Sequence, residues 1–293
     1  MTVTRNRDRL INGPVSCRMN KLSTERWSAS SASPYVWLDA SDSSTITLSG
    51  SSVTQWDDKG SAGLDFVQAS AGVQPQYGST TQNGLNTVSF DSDYMSQSGN
   101  WDFLHNGTNY MIFAVVKFGA TANPDTVYCL FGNNAQASAN IGCTLRFDDR
   151  SSASRNNKFN YMVTKGTIGS FVIDQLTDDD FITPNTFNLV RVLAFPHNDT
   201  AAQRIYTSVN GYGFTTGNTV ANAAVATSAT YDMQIGAGGN DSSPLVGEIA
   251  EIVVFNYYAD LYSTKIEGYL SHKWGISSSL PSSHPFRYLP PTV

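Results

Sequence analysis

The chain has 293 residues, of which 14% are charged and 12% aromatic, and its formal net charge is −6. That length can enclose a sizeable core within one β-rich domain. A low-charge, hydroxyl- and amide-rich composition does not suit a nucleic-acid surface, which needs clustered Lys and Arg, and no apolar run is long enough for a transmembrane helix.

The charge is unevenly placed. Residues 1–26 carry six basic side chains (Arg5, Arg7, Arg9, Arg18, Lys21 and Arg26) against Asp8 and Glu25, hence +4, whereas the remainder carries −10. A basic arm on an acidic body predicts a peripheral anchor, the alternative being a merely solvated tail. The N-terminus lacks the apolar core of a signal peptide. Residues 28–34 (SASSASP) predict a small-residue hinge. The expected organisation is therefore an arm and hinge over 1–33 and one domain over 34–293.

Strand signals begin at Trp37 and Leu38. Residues 109–118 (NYMIFAVVKF) and 187–195 (FNLVRVLAF) have the β-branched and aromatic content of central strands. Residues 205–214 alternate around Asn210-Gly211, a two-residue hairpin signal. Residues 231–255 predict a strand pair around GAGGNDSSP, and Glu248–Phe255 is apolar enough to be covered on both faces. A helix is expected from about Ser263, with Thr264 and Glu267 as a capping box. Ile266, Tyr269, Leu270 and Trp274 form one inward stripe, and Gly275 ends the helix. Roughly ten to fourteen strands with a single helix fit two packed antiparallel sheets rather than a βαβ fold. Trp37, Trp56 and Trp274 are assigned to the core.

Cys17, Cys129 and Cys143 are an odd set at no metal spacing. If TVYCLF and IGCTLRF pair as a symmetric hairpin, Cys129 and Cys143 face each other; otherwise they are two buried apolar thiols.

Catalytic patterns are missing. Hydrolysis of a glycoside needs two carboxylates on one cleft. Only four glutamates occur, Glu25, Glu248, Glu251 and Glu267. At period two, Glu248 and Glu251 are expected on opposite strand faces. The four histidines are scattered and no nucleophile elbow is present. No enzyme is predicted, the alternative being hydrolysis by an Asp-based pair. Hard cations want clustered oxygens, and Asp39/Asp42, Asp57/Asp58, Asp91/Asp93 and Asp178 to Asp180 supply adjacent carboxylates, although Asp is also a good turn residue. Sugar binding calls for an exposed aromatic platform beside amide or carboxylate groups. Trp101 with Asn100 and Asp102, Tyr212, and Asn240 with Asp241 are the candidates, against the alternative of half-buried aromatics and ordinary turns.

Several stretches carry a resemblance: YVWLDASD at Tyr35–Asp42, VTQWDDKGSAG at Val53–Gly63, GLNTVSFDSDYMS at Gly84–Ser96, and GEIAEIVVFN followed by KIEGYLSHKWG, LP and HPF up to Phe286. Together they resemble the concanavalin A-like, laminin-G-like jelly-roll domains that recur in bacteriophage virion proteins and large bacterial surface proteins. The resemblance implies an all-β jelly-roll sandwich with one C-terminal helix over residues 34 to 287. It places a calcium site first at Asp57 and Asp58, within the family-like QWDDK. The expected protein is a non-enzymatic bacteriophage structural component on the virion surface: a head decoration, fibre or tail component. It would be an oligomer, anchored to capsid or tail proteins by its arm, and would display a lectin-like face to host glycans. The alternatives are a bacterial surface or secreted carbohydrate-binding module and an architectural cement protein without ligand.

Overall fold

The computed structural model describes residues 25–119, 126–150, 158–168, 171–176, 182–195, 204–214, 218–219 and 227–293. Arg5, Arg7, Arg9, Arg18, Lys21, Cys17 and Asp178–Asp180 lie outside the described residues.

In chain order the first strands are β1 (Val36–Asp39), β2 (Ile46–Ser49), β3 (Ser52–Trp56), β4 (Phe66–Val67), β5 (Gln76–Gln82) and β6 (Leu85–Asp93). Then come β7 (Met95–Gln97), β8 (Tyr110–Phe118), β9 (Val127–Gly132), β10 (Ile141–Asp148), β11 (Lys158–Lys165) and β12 (Phe171–Leu176). The last are β13 (Phe187–Ala194), β14 (Ile205–Val209), β15 (Tyr212–Phe214), β16 (Asn218–Thr219), β17 (Met233–Ile235) and β18 (Leu245–Phe255). One α-helix, α1 (Asp260–Lys273), follows. The described strands outnumber the expectation because two- and three-residue strands leave no alternation to detect.

Every strand pair among the described residues is antiparallel. β18 is central to one layer: β8 runs along one side, while β6 and then β1 share the other. β13, β14 and β15 extend this layer beyond β8. The second layer runs from β7 through β17, β9, β10, β11 and β12 to β16. Rings from the two layers meet between them: Phe118 stacks on Phe147 at 5.1 Å, and the hydroxyls of Tyr110 and Tyr161 are 2.7 Å apart. The fold is thus an all-β antiparallel sandwich of the jelly-roll kind with one C-terminal helix.

β18 is buried along nearly its whole length. Its interior face looks across the sandwich, and its outer face is covered by α1. The Asn210-Gly211 hairpin joins β14 to β15 as expected, with both residues at positive φ (52° and 78°).

The helix begins earlier than its sequence signals. Ala259 is its N-cap and makes no side-chain cap bond, so Thr264 and Glu267 lie within the helix and form no capping box. Ile266, Leu270 and Trp274 are buried as the stripe requires, and Tyr269 packs at its edge. A second stripe is also buried: Ser263, Glu267 and Ser271, at i, i+4 and i+8. Glu267 accepts from Arg191 (3.0 Å) and Ser208 (3.2 Å), cross-strand neighbours on β13 and β14. Gly275 ends the helix at φ 69°; its N–H reaches the His272 carbonyl, and the Ile276 N–H reaches that of Ser271. This left-handed exit is the Schellman arrangement, in which glycine adds no steric cost.

The last residues of the expected arm belong to the packed body. Arg26 bridges antiparallel to Thr292, the Trp27 N–H donates to the Pro291 carbonyl, and Trp27 is buried against Tyr262 and Tyr269. The expected hinge contains a 3-10 turn, Ala29–Ala32, with both alanines buried.

Cys129 and Cys143 are free and buried, and they do not face each other. Gly132 pairs with Thr144 and Cys129 with Arg146, because the loop is asymmetric and the register shifts between Leu145 and Arg146. Burial pushes both thiols up to about 12.

Candidate functional site

The strand β17 lies between β7 and β9 and runs antiparallel to both. Its start therefore adjoins the ends of both neighbours, so three segments meet: residues 98–102 after β7, Asn133 after β9, and residues 228–233. They enclose a cleft of about 290 Å³. Asn100 and Asp102, Asn133, and Thr230, Tyr231 and Asp232 bring amide, carboxylate, hydroxyl and phenol groups to its lining.

Local bonds fix this shape. Gln97 Oε1 accepts from the Gly99 N–H (2.6 Å) and from Trp101 Nε1 (2.9 Å). Asn100 Oδ1 accepts the Asp102 N–H at 2.8 Å, an Asx turn that presents both side chains from one short loop. Asp102 Oδ2 lies 3.4 Å from Ser228 Oγ, tying two of the segments together, and Oδ1 lies 3.6 Å from His105 Nε2. The Ile141 N–H holds Thr230 Oγ1 at 2.8 Å. Asn133 is only 1% exposed, and its Oδ1 accepts the Cys143 N–H at 2.8 Å.

Trp101 is not an exposed platform. It is 2% exposed and packs among Phe66, Phe103 and Phe131. Its polar sequence neighbours point outward while the ring fills the space beneath them, so its assignment as the stacking residue is corrected. Tyr212 is 45% exposed but sits on the hairpin at the far edge of the other layer. Asn240 is exposed, and Asp241 is fastened by Tyr94 (2.9 Å) and Gln234 (2.6 Å). None of these three lines the cleft. The fold brings Asn100 and Asp102 together and leaves the other candidates elsewhere. Asn133 and Tyr231 carried no local signal, because β17 is what places them beside Asn100.

Asp58 is a turn staple. Its Oδ1 accepts the N–H groups of Trp37 and Gly60, both at 2.7 Å, and its Oδ2 accepts that of Leu64 at 3.0 Å. Asp57 accepts from Gln55 at 2.6 Å. Asp58 is thus spent on its turn and one Asp57 oxygen on the Gln55 side chain, so the calcium expectation at Asp57 and Asp58 finds a structural use for both carboxylates. Among the described residues no group of three or more acidic, His or Cys side chains is arranged to hold a metal.

Glu248 and Glu251 also differ from expectation. A bulge at Ala250 shifts the register, so Glu248 pairs with Lys117 and Glu251 with Val115. Lys117 and Val115 are two apart on β8, and residues paired across an antiparallel ladder share a face. Both glutamates therefore lie on the outer face, and Glu251 sits beneath α1. Glu248 bonds Lys117 and Thr87. Glu251 accepts from both indoles, Trp37 Nε1 and Trp274 Nε1, and from Lys273 Nζ, each at 2.7 Å. Lys273 continues to Asp39 (2.6 Å), Asp39 to Lys59 (3.1 Å), and Lys59 to Asp42 (2.7 Å). Burial raises the Glu251 carboxyl despite the nearby Lys273 charge. Burial pushes Asp39 upward too, but the Lys273 charge and hydrogen bond, with Ser41 and Lys59, hold it below the usual range.

No protein-family model matches the sequence, and no curated protein matches it. Among solved structures, the chain is similar to a Trypanosoma rangeli sialidase in complex with sialic acid (15% identity, TM-score 0.48, 83% of this chain and 33% of that one). It is also similar to the binding domain of botulinum neurotoxin serotype D (11%, TM-score 0.47, 84% and 52%). A third is the Ruminococcus gnavus IT-sialidase CBM40 bound to α2,3-sialyllactose (12%, TM-score 0.35, 52% and 78%). The chain thus spans a minority of the sialidase's length. At these identities and scores the likenesses carry no conclusion about ligand or activity.

Proposed function

We propose that this chain is a non-catalytic, lectin-like β-sandwich that binds glycans in the cleft between residues 98–102, Asn133 and residues 228–233. The observation carrying this reading is the lining itself. A concave site offers fixed amide, hydroxyl and carboxylate groups, with Tyr231 as an amphipathic surface, which is the chemistry a sugar's hydroxyls and C–H face require. The non-catalytic part is supported by the burial of Glu248 and Glu251 in bonded networks away from the cleft; the carboxylates that do line it are Asp102 and Asp232, which the catalytic alternative would need. A single site of this shallow kind binds at about millimolar strength, and several copies on one particle raise avidity without new contacts.

The setting we propose is a bacteriophage virion, with the domain displayed as a head decoration, fibre or tail component. Its supports are the family resemblance and the +4 segment preceding a −10 body. Assemblies of this kind are symmetric, so several copies would meet around an axis. Glycan-array binding of the full chain tests the ligand reading: retention of sugars, lost on Tyr231→Ala and Asn133→Ala, is expected. Failure of the wild-type chain to bind any glycan overturns it. Burial of Trp101 favours a second reading, an architectural cement protein without ligand. That reading predicts normal particle incorporation and no sugar binding.

A further inference from the structure

The cleft's charge selects among glycans. Asp102 and Asp232 both line it, and no Lys, Arg or His is among its lining residues. Asp102 is tied to Ser228 and faces buried His105, so its position is fixed by the fold. Beside it, Asn133 is almost wholly buried; its Oδ1 accepts the Cys143 N–H, which leaves the Nδ2 side of the amide as the donor. The site therefore pairs an amide donor with carboxylate acceptors. Among the described residues no Lys or Arg lines it.

We infer that this cleft takes neutral glycans, hexoses or N-acetylhexosamines, and rejects sialylated and uronic-acid sugars. The inference rests on the glycan-binding reading above and specifies its ligand class. A neutral sugar presents vicinal hydroxyls that donate to Asp102 and Asp232, and ring or acetamido oxygens that accept from Asn133. An anionic sugar brings a carboxylate against two others. Without Arg or Lys to compensate, that approach is repulsive at short range and in the field of an acidic body. Recognition of a carboxylate ordinarily uses the planar fork of Arg or a charged ammonium, and the described residues lining the cleft supply neither.

The test uses the full chain and isothermal titration at low ionic strength. The neutral probes are lactose, maltose and N,N′-diacetylchitobiose; the acidic probes are 3′-sialyllactose and a hyaluronan disaccharide. The best neutral probe should bind at least about tenfold more tightly than either acidic one, a difference of about 1.4 kcal/mol. Added salt should narrow the gap, since exposed charges are screened within about 10 Å. The double variant Asp102→Asn/Asp232→Asn, isosteric and checked for an unchanged melting temperature, should narrow it at least about threefold. Equal or tighter binding of the acidic probes overturns the charge-selection inference while leaving glycan binding intact. So does a neutral-to-acidic ratio that the double variant does not move. Absence of binding to every probe overturns both.

Discussion

Glu248 and Glu251 stand three residues apart on β18 and face the same side of the sheet, because the bulge at Ala250 adds one residue between them. The bulge delivers Glu251 beneath α1, where two indoles, Tyr269 and Lys273 converge on one carboxylate. Removing one partner from a buried, fully bonded group leaves the rest uncompensated. Glu251→Ala should therefore cost about 3–5 kcal/mol in urea unfolding. A loss below about 1 kcal/mol would mean that water already reaches this network.

The acid limb of the stability profile should carry the mark of Asp39 and Asp42. Hydrogen bonds from Lys59 and Ser44 lower Asp42 from the usual 3.8 to about 2, and Asp39 is lowered as well. A carboxyl with a depressed folded value stabilises above its unfolded value, and that contribution disappears as pH falls through the folded one. Melting temperature should thus fall between about pH 4 and pH 2, and Asp42→Asn should make that fall shallower. Glu251, raised by burial, acts oppositely: its ionisation opposes folding above the usual 4.5 and not below it. A limb identical in wild type and Asp42→Asn would remove the role given to the Lys59 pair.

Trp101→Ala should act on stability first. With the ring buried among Phe66, Phe103 and Phe131, truncation should cost about 3–5 kcal/mol in chemical denaturation. A variant as stable as the wild type would show that this aromatic cluster adds little.

Thiol reactivity offers an independent check of the second layer. Cys129 and Cys143 are wholly buried, with thiol values pushed up to about 12. The thiolate is the reactive form, so at most one of the three cysteines should label with a disulfide reagent in the native chain, and all three after denaturation. Rapid native labelling of Cys129 or Cys143 would contradict their packing.

Legibility in the sequence followed the range of the forces. The β18 run, the Asn210-Gly211 hairpin and the Ile266–Leu270–Trp274 stripe are local patterns, and each was readable. The Ala250 bulge was not, since it exists only in the ladder to β8. Trp101 misled because Asn100 and Asp102 are its chain neighbours, while Phe66 and Phe131 decide its burial. The Ser263–Glu267–Ser271 stripe was invisible to a search for apolar periodicity, because Arg191 and Ser208, not hydrocarbon, receive it. Of the candidate cleft, Asn100 and Asp102 were named only as polar neighbours of Trp101, and the fold, not that ring, puts them in the lining. Asn133 and Tyr231 required the β7–β17–β9 pairing.

The bridge between Arg26 and Thr292, with the Val293 N–H donating to the Glu25 carbonyl, brings both ends of the described chain to one point. A body whose ends adjoin can be spliced into a loop of another protein without prising that loop open, or closed head to tail by a short linker. Such a module is attached like a bead on a single thread: whatever holds it by either end holds it from the same corner.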